Sequence, residues 1–150
     1  MILIEDCDPD NPEARDLMAA LSARLREITG ASGEASFDVA DLRGPGAAFV
    51  VARAADGHAV GCGAYRPLEP NAAELKRMYA AQPGLGVGAA LLAGLEVRAR
   101  NEGYEALRLE TRRVNLGAVR FYTRSGYAPV ASYGKYIGRP DAVCLGKQLF

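Results

Sequence analysis

The sequence predicts an α/β fold with a mixed central sheet flanked by helices: an antiparallel meander followed by one parallel βαβ crossover. Three observations carry this reading. In "AAFVVARAADGHAVGCGAYRPL" two strand-like runs flank Asp56-Gly57, the strongest short hairpin signal in the chain. "NAAELKRMYA" follows directly as a third strand. "QPGLGVGAALL" then opens a helix that closes at Gly103, and "EALRLET" reads as the next strand.

The remaining elements follow from local chemistry. "MILIED" alternates weakly and reads as an opening strand. "DNPEARDLMAALSARLREITG" is a helix that Asn11 can cap, with Pro12 in its first turn and Glu13 complementing the dipole. Its apolar stripe is Leu17, Leu21, Leu25 and Ile28, and Gly30 stops it. Residues 31–46 are rich in Gly, Ser and Asp, with one short helical turn at "FDVADL". Strict alternation along "ELKRMYA" puts Glu74, Lys76 and Met78 on one face, and Leu75, Arg77 and Tyr79 on the other. The glycine helix, Val87 to Glu102, carries the stripe Val87, Leu91, Leu95 and Ala99. In "EALRLET", Leu107, Leu109 and Thr111 share a face. "VNLGAVRFYTRSGY" is a short helix with Asn115 as N-cap candidate and Gly126 at its C-terminal end. "YAPVASY" and "DAVCLGKQLF" are the closing strands. With no internal repeat and no second core, residues 1–150 read as one domain.

Composition narrows the function classes. Eighteen basic and 18 acidic residues cancel, which argues against a nucleic-acid or anionic-membrane binder. An anionic ligand must then be held by local donors. The three cysteines, Cys7, Cys62 and Cys144, are far apart and read as free thiols in a reducing compartment. One histidine, His58, and no thiolate cluster argue against a metal site. The opening residues lack a basic region before an apolar run, and no segment approaches the ~20 apolar residues of a membrane span. A cytoplasmic location is the expectation.

The glycine stretch holds Gly84, Gly86 and Gly88 at alternate positions. A phosphate-binding P-loop is excluded, because no Gly-Lys-Ser/Thr follows. Gly84, Gly86 and Ala89 satisfy the dinucleotide pattern, but a charged strand precedes them where an apolar one is required. The dinucleotide reading thus stands third, behind two others. The glycines can permit tight helix–sheet packing, as can Gly94. Alternatively, the bare amides of Leu85, Gly86, Val87, Gly88 and Ala89 form an anion site suited to a pyrophosphate.

The blocks "AELKRMYA", "GLGVGAALLAGLE", "GYEALRLET" and "VNLGAVRFYTRSGY", in this order, resemble the GCN5-related N-acetyltransferase (GNAT) superfamily. The resemblance runs from about residue 47 to the C-terminus. It departs from the family pattern at Gln82-Pro83: Pro83 stands where an arginine or glutamine is usual, and the loop from Tyr79 to Gly84 is shorter. The resemblance implies transfer of an acetyl group from acetyl-coenzyme A directly to an amine, without an acyl-enzyme. Backbone groups of Met78, Tyr79 and Ala80 would then pair with the pantetheine arm as an added strand, between splayed strands carrying Met78 and Leu109. The segment Gly84–Ala89 would hold the pyrophosphate. Asn115 and Ala118 would meet the arm, with helix capping the alternative role for Asn115. Arg124 would reach the phosphate end or remain a solvated helix-end cation.

Two proton problems accompany this chemistry. A lysine-like amine with pKa ~10.4 must lose a proton, and the departing thiolate needs one or a hydrogen bond. The resemblance assigns the thiolate to Tyr122. With reference values of ~10 and ~8.5, full proton transfer from tyrosine is uphill by about 2 kcal/mol, so hydrogen bonding is the safer role. For the base, Glu74 is the first candidate and Glu110 the second, with salt-bridge roles open for both, and the resemblance also leaves open a route through water with no dedicated base. The acceptor, a small-molecule or peptide amine, is expected between residues 30–46 and the link around Tyr133, Tyr136 and Arg139. A homodimer is left open. The alternative function is a non-catalytic acyl-coenzyme A-binding sensor or interaction module.

Overall fold

The computed structural model describes residues 1–150 apart from the side chain of Ser36. Seven strands form one sheet: β1 (Leu3–Asp6), β2 (Ala48–Arg53), β3 (Ala59–Glu69), β4 (Ala72–Ala80), β5 (Ala106–Arg112), β6 (Ala128–Pro129) and β7 (Ala142–Gln148). Their order across the sheet is β1-β2-β3-β4-β5-β7-β6. Every pairing is antiparallel except β4–β5. Helices α1 (Pro12–Thr29), α2 (Val87–Asn101) and α3 (Leu116–Arg124) cover the faces. This is the mixed sheet, with its meander and single crossover, that the sequence predicts.

The β2–β3 hairpin turns at Asp56-Gly57, where Gly57 takes φ 86° and Asp56 accepts a hydrogen bond from the His58 amide at 2.9 Å. Asn11 caps α1 by accepting from the Glu13 amide at 2.9 Å. Alternation along the strands divides the core into two layers. Val50, Ala52 and Leu75 pack with Leu91, Leu95 and Ala99 of α2. Val51, Cys62 and Ala64 pack with Ala14, Leu17 and Met18 of α1. Gly94 permits the first layer its close approach, since an added Cβ would stand 2.9 Å from Ile4 Cγ2.

Three local expectations are corrected. The buried face of α1 is Ala14, Leu17, Met18, Leu21 and Ser22, while Ile28 is exposed. Leu25 and Ile28, in the last turns of α1, are cavity wall instead of core. Strand β6 is only Ala128–Pro129, followed by one more backbone bond from the Val130 amide to Cys144 O at 3.0 Å, and β7 lies between it and β5. The third correction concerns β4. A bulge there sets Arg77 and Met78 opposite Gly63, between the pairs Cys62–Tyr79 and Ala64–Lys76. Arg77 takes φ 55°, in the left-handed region that costs a non-glycine residue energy. The bulge shifts the alternation by one. Arg77 therefore turns toward α1 with Glu74 and Lys76, while Met78 joins Leu75 in the α2 layer.

The parallel pairing positions the site. It joins only Ala72–Glu74 to Ala106–Arg108. Beyond Glu74 the two strands separate, β4 staying with β3 and β5 with β7.

Candidate active site

The fork between β4 and β5 opens into two cavities that share walls at Leu21, Leu25, Met78, Asn115, Ala118 and Tyr122. The first, about 620 Å³, runs past Ala80, Pro83 and Gly88 toward the start of α2. The second, about 430 Å³, lies between residues 29–35, Lys76 and Arg77 of β4, Glu110–Arg112 of β5, and the turn containing Lys135, Tyr136 and Arg139. Both volumes suit small-molecule sites. Separating two strands that would otherwise hydrogen-bond leaves strand-edge backbone facing the cleft, able to pair with an extended ligand.

Between Pro83 and Gly88, which line the larger cavity, Gly84 and Gly86 adopt φ 84° and 74° without lining it themselves. A Cβ at either would meet nothing within 4 Å, so the backbone conformation, not packing, calls for glycine here. The first intrahelical bond recorded at this end of α2 runs from the Ala90 amide to Gly86 O at 3.0 Å. The amides of Val87, Gly88 and Ala89 precede it, at the positive end of the helix. Residues 81–86 are exposed.

Tyr122 stands in the wall common to both cavities and is buried to 7% exposure. Its ring packs edge-on against Phe121 and Tyr127, at centroid distances of 5.0 and 5.7 Å. Tyr127 is anchored in turn by donating to Glu96 Oε2 at 2.9 Å. Burial pushes the Tyr122 phenol upward, so it stays a hydrogen-bond donor. Asn115 caps α3, accepting from the Ala118 amide at 3.3 Å, and still lines both cavities.

The two carboxylates differ in their surroundings. Glu74 is 1% exposed and both its oxygens are engaged. Arg66 Nε donates to Oε1 at 3.0 Å, Tyr133 donates to Oε2 at 2.7 Å, and Lys76 Nζ lies 3.6 Å from Oε2. Glu110 lines the smaller cavity, and its Oε2 is buried without a hydrogen-bond partner. Arg112 Nε approaches that oxygen only to 3.7 Å. Burial raises the Glu110 carboxyl above the ordinary range, against the pull of Arg112 and Lys76. Lys76 donates to the Tyr136 hydroxyl at 2.9 Å, and burial lowers its ammonium.

Among the described residues, no covalent nucleophile is assembled around these groups. Burial pushes the Cys62 thiol up to about 12, and it donates to Arg77 O at 3.3 Å. A thiol so far from ionisation is a poor nucleophile. His58 sits exposed in the β2–β3 turn, outside the cavity walls.

The Acetyltransferase (GNAT) family model matches residues 15–127, most of the chain. The chain belongs to this family. A relative from Azospirillum brasilense, named IAA acetyltransferase, is 32% identical over 136 residues, covering 89% of this chain and 88% of its own. A Klebsiella pneumoniae structure provisionally named acyl-CoA N-acyltransferase superposes with a TM-score of 0.86 at 34% identity, covering 100% of this chain and 99% of that one. A GNAT acetyltransferase from Elizabethkingia anophelis, solved with acetyl-CoA bound, matches at TM-score 0.69 and 16% identity over 98% of this chain and 97% of that one, a likeness of fold. Acyl transfer is thus the general activity of the family to which this cleft belongs.

Within this GNAT fold, the splayed strands bring Met78, Tyr79, Ala80, Gly88, Asn115, Ala118 and Tyr122 to one cavity. Arg124 lies on the exposed end of α3, outside the walls of both cavities. Several wall residues had little signal in the sequence. Arg77 reaches α1, donating to Met18 O at 2.7 Å and Ser22 Oγ at 2.5 Å, because the bulge turns it there. Lys76, Arg112 and Lys135 enter the smaller cavity from three separate segments. The charged run "ELKR" is the one trace of this in the sequence, and it also fits a solvated strand.

Proposed function

We propose that this GNAT protein is an acetyl-CoA-dependent N-acetyltransferase acting on a small-molecule amine by direct transfer. The observation that carries the reading is the fork. Tyr122 lies in the wall shared by both cavities, with the glycine-led start of α2 beyond one and Glu110 in the other. The amides at the start of α2 suit the pyrophosphate, and the strand edge at Met78–Ala80 suits the pantetheine arm. The name of the Azospirillum relative supports acyl transfer to a small molecule, and that of the Klebsiella structure supports N-acyl transfer from an acyl-CoA.

In this reading the amine nitrogen attacks the acetyl carbonyl carbon, the C–N bond forms and the C–S bond breaks. Glu110 takes the proton that the amine gives up. Its unpartnered buried oxygen and raised carboxyl suit a base working near neutrality, whereas both oxygens of Glu74 are already committed. Glu74 instead holds Lys76 in the wall and Tyr133 outside it. Tyr122 donates a hydrogen bond to the departing thiolate. Proton transfer from so buried a phenol is further uphill than from a free one, so stabilisation precedes any transfer.

Calorimetric titration with acetyl-CoA, followed by detection of free thiol with a panel of amines, tests the reading. Binding plus amine-dependent thiol release is expected. Tight binding without turnover on any amine would support a sensor, and absence of binding would refute both.

A further inference from the structure

The charge of the smaller cavity is one-sided. Lys76, Arg77, Arg112, Lys135 and Arg139 line it, against the single carboxylate of Glu110. Carboxylates behind the wall offset part of this. Asp141 accepts from Arg112 at 2.7 Å and lies 3.9 Å from Arg139, while Glu74 lies 3.6 Å from Lys76. The rest is not offset by direct pairs. Arg77 donates to Met18 O, Ser22 Oγ and Ser32 O, and Glu34 is reached only through Ser22. Its Nε is buried without a partner. Lys135 donates to the Ala35 carbonyl at 3.3 Å. Lys135 and Arg139 are both exposed, on the turn that closes the cavity mouth.

A chain with zero net charge has therefore concentrated cations around one small cavity. A polycationic acceptor would enter against this field, whereas an anionic one would be drawn in. The distribution has a direction as well, with one buried carboxylate in β5 and cations at the mouth. A molecule bearing an amine and a carboxylate matches both ends.

We propose, resting on the acetyltransferase reading, that the acceptor is an amino acid or a similarly built amino-carboxylate. Its amine meets Glu110 and its carboxylate is held by Lys135 and Arg139. The guanidinium of Arg139 suits a two-point contact with a carboxylate, and the Lys135 ammonium adds a second charged donor.

The experiment compares amino acids with their carboxamides, their decarboxylated amines, spermidine and an aminoglycoside, on the parent and on a Lys135→Gln/Arg139→Gln double variant. The acids are expected to exceed the other acceptors in kcat/KM by about tenfold or more, the factor that charged hydrogen bonds carry. In the double variant the KM for the acid should rise about tenfold to a hundredfold. The KM of the carboxamide and the Kd for acetyl-CoA should stay within about twofold. Preference for amides, spermidine or the aminoglycoside overturns the proposal, as does turnover of no acid by a protein that binds acetyl-CoA. A variant that loses acetyl-CoA affinity instead of acid affinity also overturns it, since the cations would then serve the donor. Failure of the parent to bind acetyl-CoA refutes the acetyltransferase reading itself, a separate result.

Discussion

Tyr133 donates its phenol hydrogen to Glu74 Oε2 across 2.7 Å, joining the turn before β7 to the strand at the root of the fork. The carboxylate on the receiving side is 1% exposed and also holds Arg66. Breaking a buried ion pair costs roughly 3–5 kcal/mol, and here the lower end applies because Arg66 keeps Asp41 at 2.9 Å. Glu74→Gln is expected to lose about that much in urea unfolding. Tyr133→Phe should lose about 1 kcal/mol, the worth of one hydrogen bond. If Glu74 acts by position alone, the acid limb of the kcat/KM profile should stay in place in Glu74→Gln. A shifted limb would return Glu74 to the role of base.

Tyr122→Phe removes one oxygen from the wall shared by the two cavities while the ring keeps its contacts with Phe121 and Tyr127. Unfolding stability should change by less than about 1 kcal/mol. Turnover should fall roughly a hundredfold, with the KM for acetyl-CoA little altered, because the lost bond forms to charge that develops during reaction. Steady-state kinetics with a saturating acceptor read this directly.

Glu110→Gln separates catalysis from stability by sign. Burial raises the Glu110 carboxyl, so the folded protein binds that proton more tightly than the unfolded chain. Stability then falls as pH rises from the ordinary carboxylate range through the raised value, and the penalty persists at neutral pH. The glutamine variant should be more stable than the parent at pH 7, and the gain should vanish below about pH 4, where both chains carry a neutral side chain. Its kcat/KM should drop about a hundredfold or more and lose the acid limb. Denaturation curves at several pH values, beside pH–rate profiles, decide it.

What was legible in the sequence was what local chemistry dictates. The Asn11 and Asn115 caps, the Asp56-Gly57 turn and the stripe Val87, Leu91, Leu95 and Ala99 each depend on a few neighbouring residues. The bulge at Arg77 was not legible, because its cause lies partly in Gly63 on the facing strand and in acceptors on α1. Without the bulge, strict alternation puts Arg77 with Leu75 and misses the cationic wall. The standing of Glu74 against Glu110 was hidden for the same reason. Arg66, Tyr133 and Lys76 occupy Glu74 only once three separate segments have met, and no pattern of spacing records that meeting.

Two glycines near the site should respond differently to alanine. A Cβ at Gly61 would stand 2.7 Å from both Tyr79 O and Val87 Cγ1, and the carbonyl cannot move without disturbing the β3–β4 ladder. Gly61→Ala should therefore cost about 2–3 kcal/mol, the usual penalty of overpacking. A Cβ at Gly84 meets nothing, but its φ of 84° costs a side chain about 1–2 kcal/mol. The loop can relieve that strain by changing shape, so Gly84→Ala should unfold almost as the parent does while its Kd for acetyl-CoA rises at least about tenfold. Calorimetry and urea unfolding on both variants test the pair. Unchanged acetyl-CoA affinity in Gly84→Ala would mean that the loop's left-handed turn serves the fold alone and that the phosphates are held elsewhere.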